Sequence, residues 1–229
     1  MGVCRIVSRS GEAFVDRVEA GRLLAAELGQ WRGRHAVVLG IPRGGLVVGH
    51  ELARALDADL DVVLARKLGA PGSPEFAIGA VAEDGRLFLR NADTYADADY
   101  IEREKTAQLH EIALRAARYR AIRRKVSLAG RPVILTDDGI ATGATMQAAI
   151  WAARQESPQE IIVAVPVGPE DSLEMLSHEA DWCICLRVPP LFAAVGQFYL
   201  AFEQVPEDEV LAILRVEAER AGHLAGPEP

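Results

Sequence analysis

The chain has 229 residues, half of them hydrophobic, enough to bury about 70% or more of its unfolded surface without disulfide or metal staples. No run approaches the ~20 apolar residues of a membrane span, and the N-terminus lacks the apolar core of a signal peptide, so the expectation is a cytoplasmic protein with no membrane partner. A net charge of −8 argues against a broad nucleic-acid footprint, and Cys4, Cys183, Cys185 and the dispersed histidines offer no metal-ligand spacing, so no protein-held metal is expected.

In chain order, Phe14 to Leu28 sets Val15, Val18, Leu24 and Leu28 among charged residues and stops at Gly29, the pattern of a packing helix. Ala36 to Ile41 is a short buried strand, followed by Pro42-Arg43-Gly44-Gly45 and a helical stretch to Leu56, a strand-loop-helix unit. Gly44 and Gly45 let the backbone approach a ligand closely, and Arg43 adds a fixed charge suited to forked contacts with phosphate oxygens. A plain turn is the bland alternative. Asp61 to Ala65 is a third apolar run, ending in Arg66-Lys67-Leu68-Gly69. After the loop Ala70 to Pro74, the runs Phe76 to Val81 and Arg86 to Leu89 flank Glu83-Asp84-Gly85, and Asp-Gly between such runs signals a hairpin. Ala98 to Lys125 reads as one long charged helix with Ile101, Leu109, Ile112 and Tyr119 as sparse anchors. Its acids lie early and its arginines late, in accord with the helix dipole. The simplest reading is a solvated helix; the sharper one is that Tyr100 to Lys105 reaches over a ligand as a lid. The spacing does not decide.

Val133 to Thr145 is the most informative stretch. Val133, Ile134 and Leu135, entered through Pro132, form a buried strand. Gly139 to Thr145 is small and hydroxyl-rich and leads into the alanine-rich helix Met146 to Glu156, which stops at Ser157-Pro158. Free N–H groups and the positive helix end, with the Thr142 and Thr145 hydroxyls, make this loop an anion site suited to phosphate. A Walker A loop is excluded because three residues, not four, separate Gly139 from Gly143 and Ala144 fills the lysine position. The dinucleotide pattern is also absent. Asp137 and Asp138 would repel a bare phosphate, but they suit a ligand whose vicinal hydroxyls can donate to them, as in a ribose 5-phosphate. A dehalogenase-like phosphatase would need its acids one residue apart after the first strand, and here they are adjacent and late.

Ile161 to Val165 and Trp182 to Leu186 are further strands, separated by a helix that Gly168-Pro169-Glu170-Asp171 opens. Cys183 and Cys185 share one strand face as core thiols. Strand and helix alternate through Trp182, which predicts an α/β fold with a doubly wound parallel sheet and a ligand site at the carboxyl ends of its strands. Arg43, Arg66, Lys67, Asp137 and Asp138 all fall at or just beyond such ends. Pro189 to Tyr199 breaks the alternation with an aromatic, proline-rich segment that looks like a cover, and Glu207 to Ala221 is a closing structural helix.

From Val133 to Thr145 the chain resembles the type I phosphoribosyltransferases, whose fingerprint is four hydrophobic residues, two acids and a small Thr-Gly-x-Thr loop. The resemblance implies a single domain over residues 1–229, with an inserted hairpin and long helix forming a flap region at about 70–130 and a C-terminal hood at about 187–206. It implies transfer of the 5-phosphoribosyl group from phosphoribosyl pyrophosphate to a nitrogenous base or related nitrogen nucleophile, within purine or pyrimidine salvage. Asp137 and Asp138 would hold the ribose hydroxyls; Gly139, Ala141, Thr142, Gly143, Ala144 and Thr145 the 5-phosphate; and Pro42, Arg43, Gly44, Gly45, Arg66 and Lys67 the pyrophosphate. Phe192, Phe198 and Tyr199 are the hood candidates for the base. Mg²⁺ would arrive with the substrate. Members acting on 6-oxopurines carry an acid where this chain has Ala141, so a proton acceptor must come from elsewhere, with Glu75, Glu83 and Glu104 as candidates, or is not needed. The base and any homo-oligomer stay open, and a sensor that binds phosphoribosyl pyrophosphate without catalysis is the alternative.

Overall fold

The structure, a computed structural model, describes residues 2–90 and 95–224, with the side chains of residues 74, 75, 223 and 224 outside that description. Six parallel strands form the central sheet in the order β1-β9-β8-β7-β2-β3: β1 Val3–Ser8, β9 Trp182–Arg187, β8 Glu160–Val167, β7 Pro132–Thr136, β2 Val37–Gly40 and β3 Asp59–Val62. All five residues of β7 are buried, and alternate ones feed opposite faces. Val133 and Leu135 join Val37, Leu39, Val163 and Cys183 on one side; Ile134 joins Val38, Leu60 and Ile162 on the other. A sheet covered on both faces reads in sequence as continuous apolar runs.

Helices α1 (Arg17–Glu27), α2 (Gly44–Leu56) and α6 (Glu207–Leu224) cover one face, and α4 (Ala144–Arg154) and α5 (Glu170–Ser177) the other. From β2 the chain moves outward through α2 to β3; from β7 it moves the opposite way through α4 to β8. The strand order therefore reverses between β2 and β7, which in open α/β sheets is where a ligand crevice opens. The doubly wound parallel sheet expected from the alternation is present.

Four details differ from the sequence reading. Strand β1 is an addition to it: the strand lies at the sheet edge, mostly exposed, and carries no strong apolar run. Helix α1 begins at Arg17, three residues after Phe14, because Asp16 caps it by accepting from Glu19 N at 2.8 Å. Phe14 instead pairs with the C-terminal segment, its N–H donating to Phe198 O and its carbonyl accepting from Leu200 N, each at 2.8 Å. The run expected over Asp61 to Ala65 is divided. Strand β3 ends at Val62, and Arg66 and Lys67 belong to β4 (Ala65–Ala70), which with β5 (Ser73–Ala82) and β6 (Leu87–Leu89) makes a separate antiparallel sheet. Its turns use Gly72 at φ 73° and Gly85 at φ 79°, a backbone region that favours glycine.

The long helix α3 covers Ala98–Arg120 and stops five residues before Lys125. Its last arginine turns back to Asp61 Oδ1 at 2.6 Å and Glu83 Oε1 at 2.9 Å, and Arg123 donates to Leu60 O at 3.2 Å. These late arginines are roots into the core, which corrects the solvated-helix reading for this end. Ile101, Ile112 and Tyr119 are buried as expected. Among the described residues no helix is long and apolar enough to cross a membrane.

Candidate active site

The loop after β7 opens α4 with Gly143 at the N-cap in a left-handed conformation, φ 77°. That backbone conformation favours glycine; a Cβ there would also press on the movable end of Met175, 2.8 Å from its Cε. The first bond of the helix runs from Gln147 N to Gly143 O at 2.8 Å, which leaves the preceding amides without an acceptor inside the helix. They stand beside a cavity of about 220 Å³ lined by Asp137, Gly139 to Met146 and Val195. Thr142 and Thr145 are exposed there. This arrangement is an anion cradle.

The loop after β2 lies against the same strand end. Ile41 N donates to Thr136 O at 2.9 Å, and the Pro42–Arg43 peptide bond is cis. A Cβ on Gly45 would lie 2.7 Å from Thr136 O and 2.9 Å from Asp137 Cα, and one on Gly44 would run into the Asp138 carboxylate. The two glycines are therefore what lets this loop approach the acidic pair. Arg43 occupies the N-cap of α2, half-buried.

Asp137 Oδ1 accepts from Asp138 N at 2.8 Å. Withdrawal from water, and then the neighbouring Asp138 charge, push the Asp137 carboxyl well above the usual carboxylate range. Asp138 Oδ2 receives Arg17 Nε at 2.8 Å, with the two side chains 12% and 16% exposed. The Asp138 carbonyl accepts from the Tyr199 hydroxyl at 2.5 Å, and burial pushes that phenol far up. Arg17 is a site residue that the sequence reading missed.

A second cavity, about 380 Å³, adjoins the cradle through the shared Thr145 and is lined further by Arg66, Lys67, Tyr100, Glu104 and Gln108. Arg66 and Lys67 reach it from the start of β4, not from the end of a sheet strand. Arg66 Nε donates to Gln108 Oε1 at 2.6 Å, Gln108 Nε2 to Glu104 Oε1 at 2.9 Å, and Tyr100 OH to Gly69 O at 3.0 Å. The first turns of α3 thus wall the cavity.

Of the candidate proton acceptors, Glu104 faces this cavity. Glu83 is instead bound by Arg120 at 2.9 Å at the far root of α3, which corrects its candidacy, and the Glu75 side chain lies outside the described residues. Phe198 and Tyr199 are core residues, 4% and 6% exposed. That burial weighs against these two hood candidates as base contacts: the segment needs their apolar area to hold the cover down. Phe192 stacks on Phe198 with centroids 5.4 Å apart and lines a different cavity, beside Pro189 and Pro190. Among the described residues no group of three or more His, Cys, Asp or Glu could hold a metal ion.

A crevice at the switch point of a parallel sheet, with a helix-opening loop beside two acids, defines the class of protein as α/β with its candidate site at the strand ends. Comparison with known proteins gives the family. The phosphoribosyl transferase domain model matches residues 14–203, and the chain belongs to that family. A Mycobacterium tuberculosis H37Rv protein named "Putative phosphoribosyl transferase" is 46% identical over 204 residues, 88% of this chain and 46% of its own length. The chain thus spans about half the length of the curated relatives it matches. The crystal structure of TT1426 from Thermus thermophilus is 49% identical, with a TM-score of 0.86 over 89% of this chain and 98% of that one.

Proposed function

We propose that the chain transfers the 5-phosphoribosyl group from phosphoribosyl pyrophosphate to a nitrogen nucleophile, releasing pyrophosphate. The observation that carries this reading is the meeting of three recognition elements at one strand end. Glycines at 44 and 45 pack on the acidic pair, and the phosphate cradle lines a cavity that includes Asp137. Their order along the crevice suits a ligand with a phosphate at one end, a diol in the middle and a second anion beyond.

In this mechanism Gly139 and Ala141 to Thr145 hold the 5-phosphate through backbone N–H groups and the Thr142 and Thr145 hydroxyls, the Ile140 amide being given to Val167 O. Asp137 and Asp138 accept from the ribose hydroxyls and favour positive charge as it develops at the anomeric carbon. Arg43, Lys67 and the Gly44 amide receive the leaving pyrophosphate, with Arg66 beside them; the Gly45 amide is already given to Ile41 O at 3.0 Å. The first turns of α3, with Tyr100 and Glu104, exclude water from the cation. The donor set fits Mg²⁺, a hard ion that takes one or two carboxylates and completes its shell with water and substrate phosphate; Asp137 and Asp138 are the carboxylates available to it. Bound there, it would supply neutralising charge to the pyrophosphate.

Incubating the protein with phosphoribosyl pyrophosphate, Mg²⁺ and a panel of nitrogenous bases, with pyrophosphate release as the readout, tests the proposal. Base-dependent release is expected. Tight binding without turnover would identify a sensor instead, and failure to bind would remove both readings.

A further inference from the structure

Arg17 opens α1, where an arginine ordinarily projects into water, and no motif in the chain includes it. Its guanidinium is nevertheless turned inward and held on three sides. Nε donates to Asp138 Oδ2 at 2.8 Å across 121 residues of chain, Nη1 donates to Glu203 O at 3.0 Å, and the group lies 4.0 Å from the centre of the Phe202 ring. Desolvating an arginine this far is costly unless it is paired. Here partners come from the cover segment on one side and from the second acid of the fingerprint on the other.

The contact takes a single carboxylate oxygen through Nε. Meanwhile Tyr199 OH grips the Asp138 carbonyl at 2.5 Å, and Tyr199 stacks on Phe202 with ring centroids 5.0 Å apart. Side chain and main chain of Asp138 are thus fixed by one small assembly. Gly44 belongs to it by subtraction, since a Cβ there would meet the Asp138 carboxylate and sit 3.0 Å from Arg17 Nε. One acid of the pair is tethered to its neighbour's backbone and the other to Arg17.

We propose that Arg17 is a positioning residue for ribose recognition: it holds the Asp138 carboxylate in the orientation that accepts a ribose hydroxyl, and Phe202 and Glu203 hold Arg17 in turn. This rests on the reading of Asp138 as a diol acceptor. Removing the guanidinium frees the carboxylate to rotate and leaves two adjacent acids without their nearest cation. Lysine cannot replace the planar group that stacks on Phe202 while donating sideways.

The test compares Arg17→Gln, Arg17→Lys and Arg17→Ala with the wild type by titration calorimetry, using phosphoribosyl pyrophosphate with Mg²⁺, ribose 5-phosphate and inorganic phosphate as probes. Both diol-bearing ligands should weaken about tenfold to a hundredfold in Arg17→Gln, the scale of a lost charge-assisted contact. Inorganic phosphate should bind unchanged. Arg17→Lys should recover little, and millimolar guanidinium should restore sugar binding to Arg17→Ala. Phe202→Leu, which leaves the ion pair in place, should give a smaller loss with the same ligand pattern and serves if the Arg17 variants do not fold. A parallel loss of inorganic phosphate would mean a merely structural role and overturn the proposal. Unchanged sugar affinity, or tighter binding because the arginine had occluded the acid, would overturn it equally. Failure of the wild type to bind phosphoribosyl pyrophosphate would overturn the functional reading as well, which separates the two.

Discussion

Adjacent carboxylates at one strand end set charge against stability at single residues. The Asp137 carboxyl is held well above its ordinary range, by burial first and the Asp138 charge second. An acid whose pKa is raised on folding costs stability wherever it must ionise, so the cost grows as pH rises from the ordinary carboxylate range toward the raised value. Below about pH 4 both folded and unfolded forms are protonated and the cost vanishes. Asp137→Asn keeps the oxygen that accepts from Asp138 N and removes the titration. It should raise stability at pH 7 by about 0.5–2 kcal/mol, the usual yield when a functional strain is relieved, and the gain should close as melting is followed down to pH 4. A variant less stable than wild type at pH 7 would contradict this account. Asp138→Asn should behave differently, because that carboxylate is already paired with Arg17. Weakening of phosphoribosyl pyrophosphate binding by roughly 1.5–3 kcal/mol is expected, with inorganic phosphate affinity preserved. Unaltered sugar affinity in a variant of normal melting temperature would remove Asp138 from the diol site.

At the scale of elements, helix α3 is anchored at one end and faces the cavity at the other. Arg120 joins Asp61, 1% exposed on β3, to Glu83 at the end of the β5 hairpin strand. Burial pushes the Asp61 carboxyl up even with Arg120 beside it. Arg120→Ala should therefore cost about 3–5 kcal/mol at pH 7, since it strands a buried acid, and less at lower pH, where Asp61 takes up a proton. Urea denaturation at two pH values measures this; a pH-independent loss would mean that packing, and not the stranded charge, dominates. The root also marks what the sequence could and could not disclose. The anchors Ile101, Ile112 and Tyr119 were legible because their spacing is helical, and β7, β8 and β9 because buried parallel strands are continuously apolar. Arg120 and Arg17 were not, since an arginine reaching a partner 59 or 121 residues away looks in sequence like any solvated arginine. Likewise β1 is an exposed edge whose Val-Cys-Arg-Ile-Val-Ser carries no strong apolar run, and the division between β3 and β4 falls inside one apolar stretch. Strand periodicity does not tell which sheet a strand will join.

Over the whole molecule, the reversal of strand order between β2 and β7 decides where a ligand can lie, and the antiparallel sheet decides how far it can extend. The cradle after β7 and the loop after β2 come from the parallel sheet, whereas Lys67 comes from β4 of the other sheet, across a cavity that Thr145 shares with the cradle. A ligand ending at the ribose should therefore engage the parallel sheet alone, and one bearing pyrophosphate should bridge both. Binding to the native state alone stabilises by about 2.7 kcal/mol at one hundred times Kd, which for a chain of this size corresponds to roughly 5–10 °C in melting temperature. Arg43→Ala and Lys67→Ala remove charges assigned to the pyrophosphate end. Each should reduce the melting shift given by phosphoribosyl pyrophosphate with Mg²⁺, measured at a fixed ligand concentration, while the shift given by ribose 5-phosphate stays near the wild-type value. The comparison within one variant cancels any effect of the substitution on the unliganded fold. Equal losses for the two ligands would put both cations at the 5-phosphate end; loss for Arg43→Ala alone would leave the antiparallel sheet as a cover that carries no contact to the leaving group.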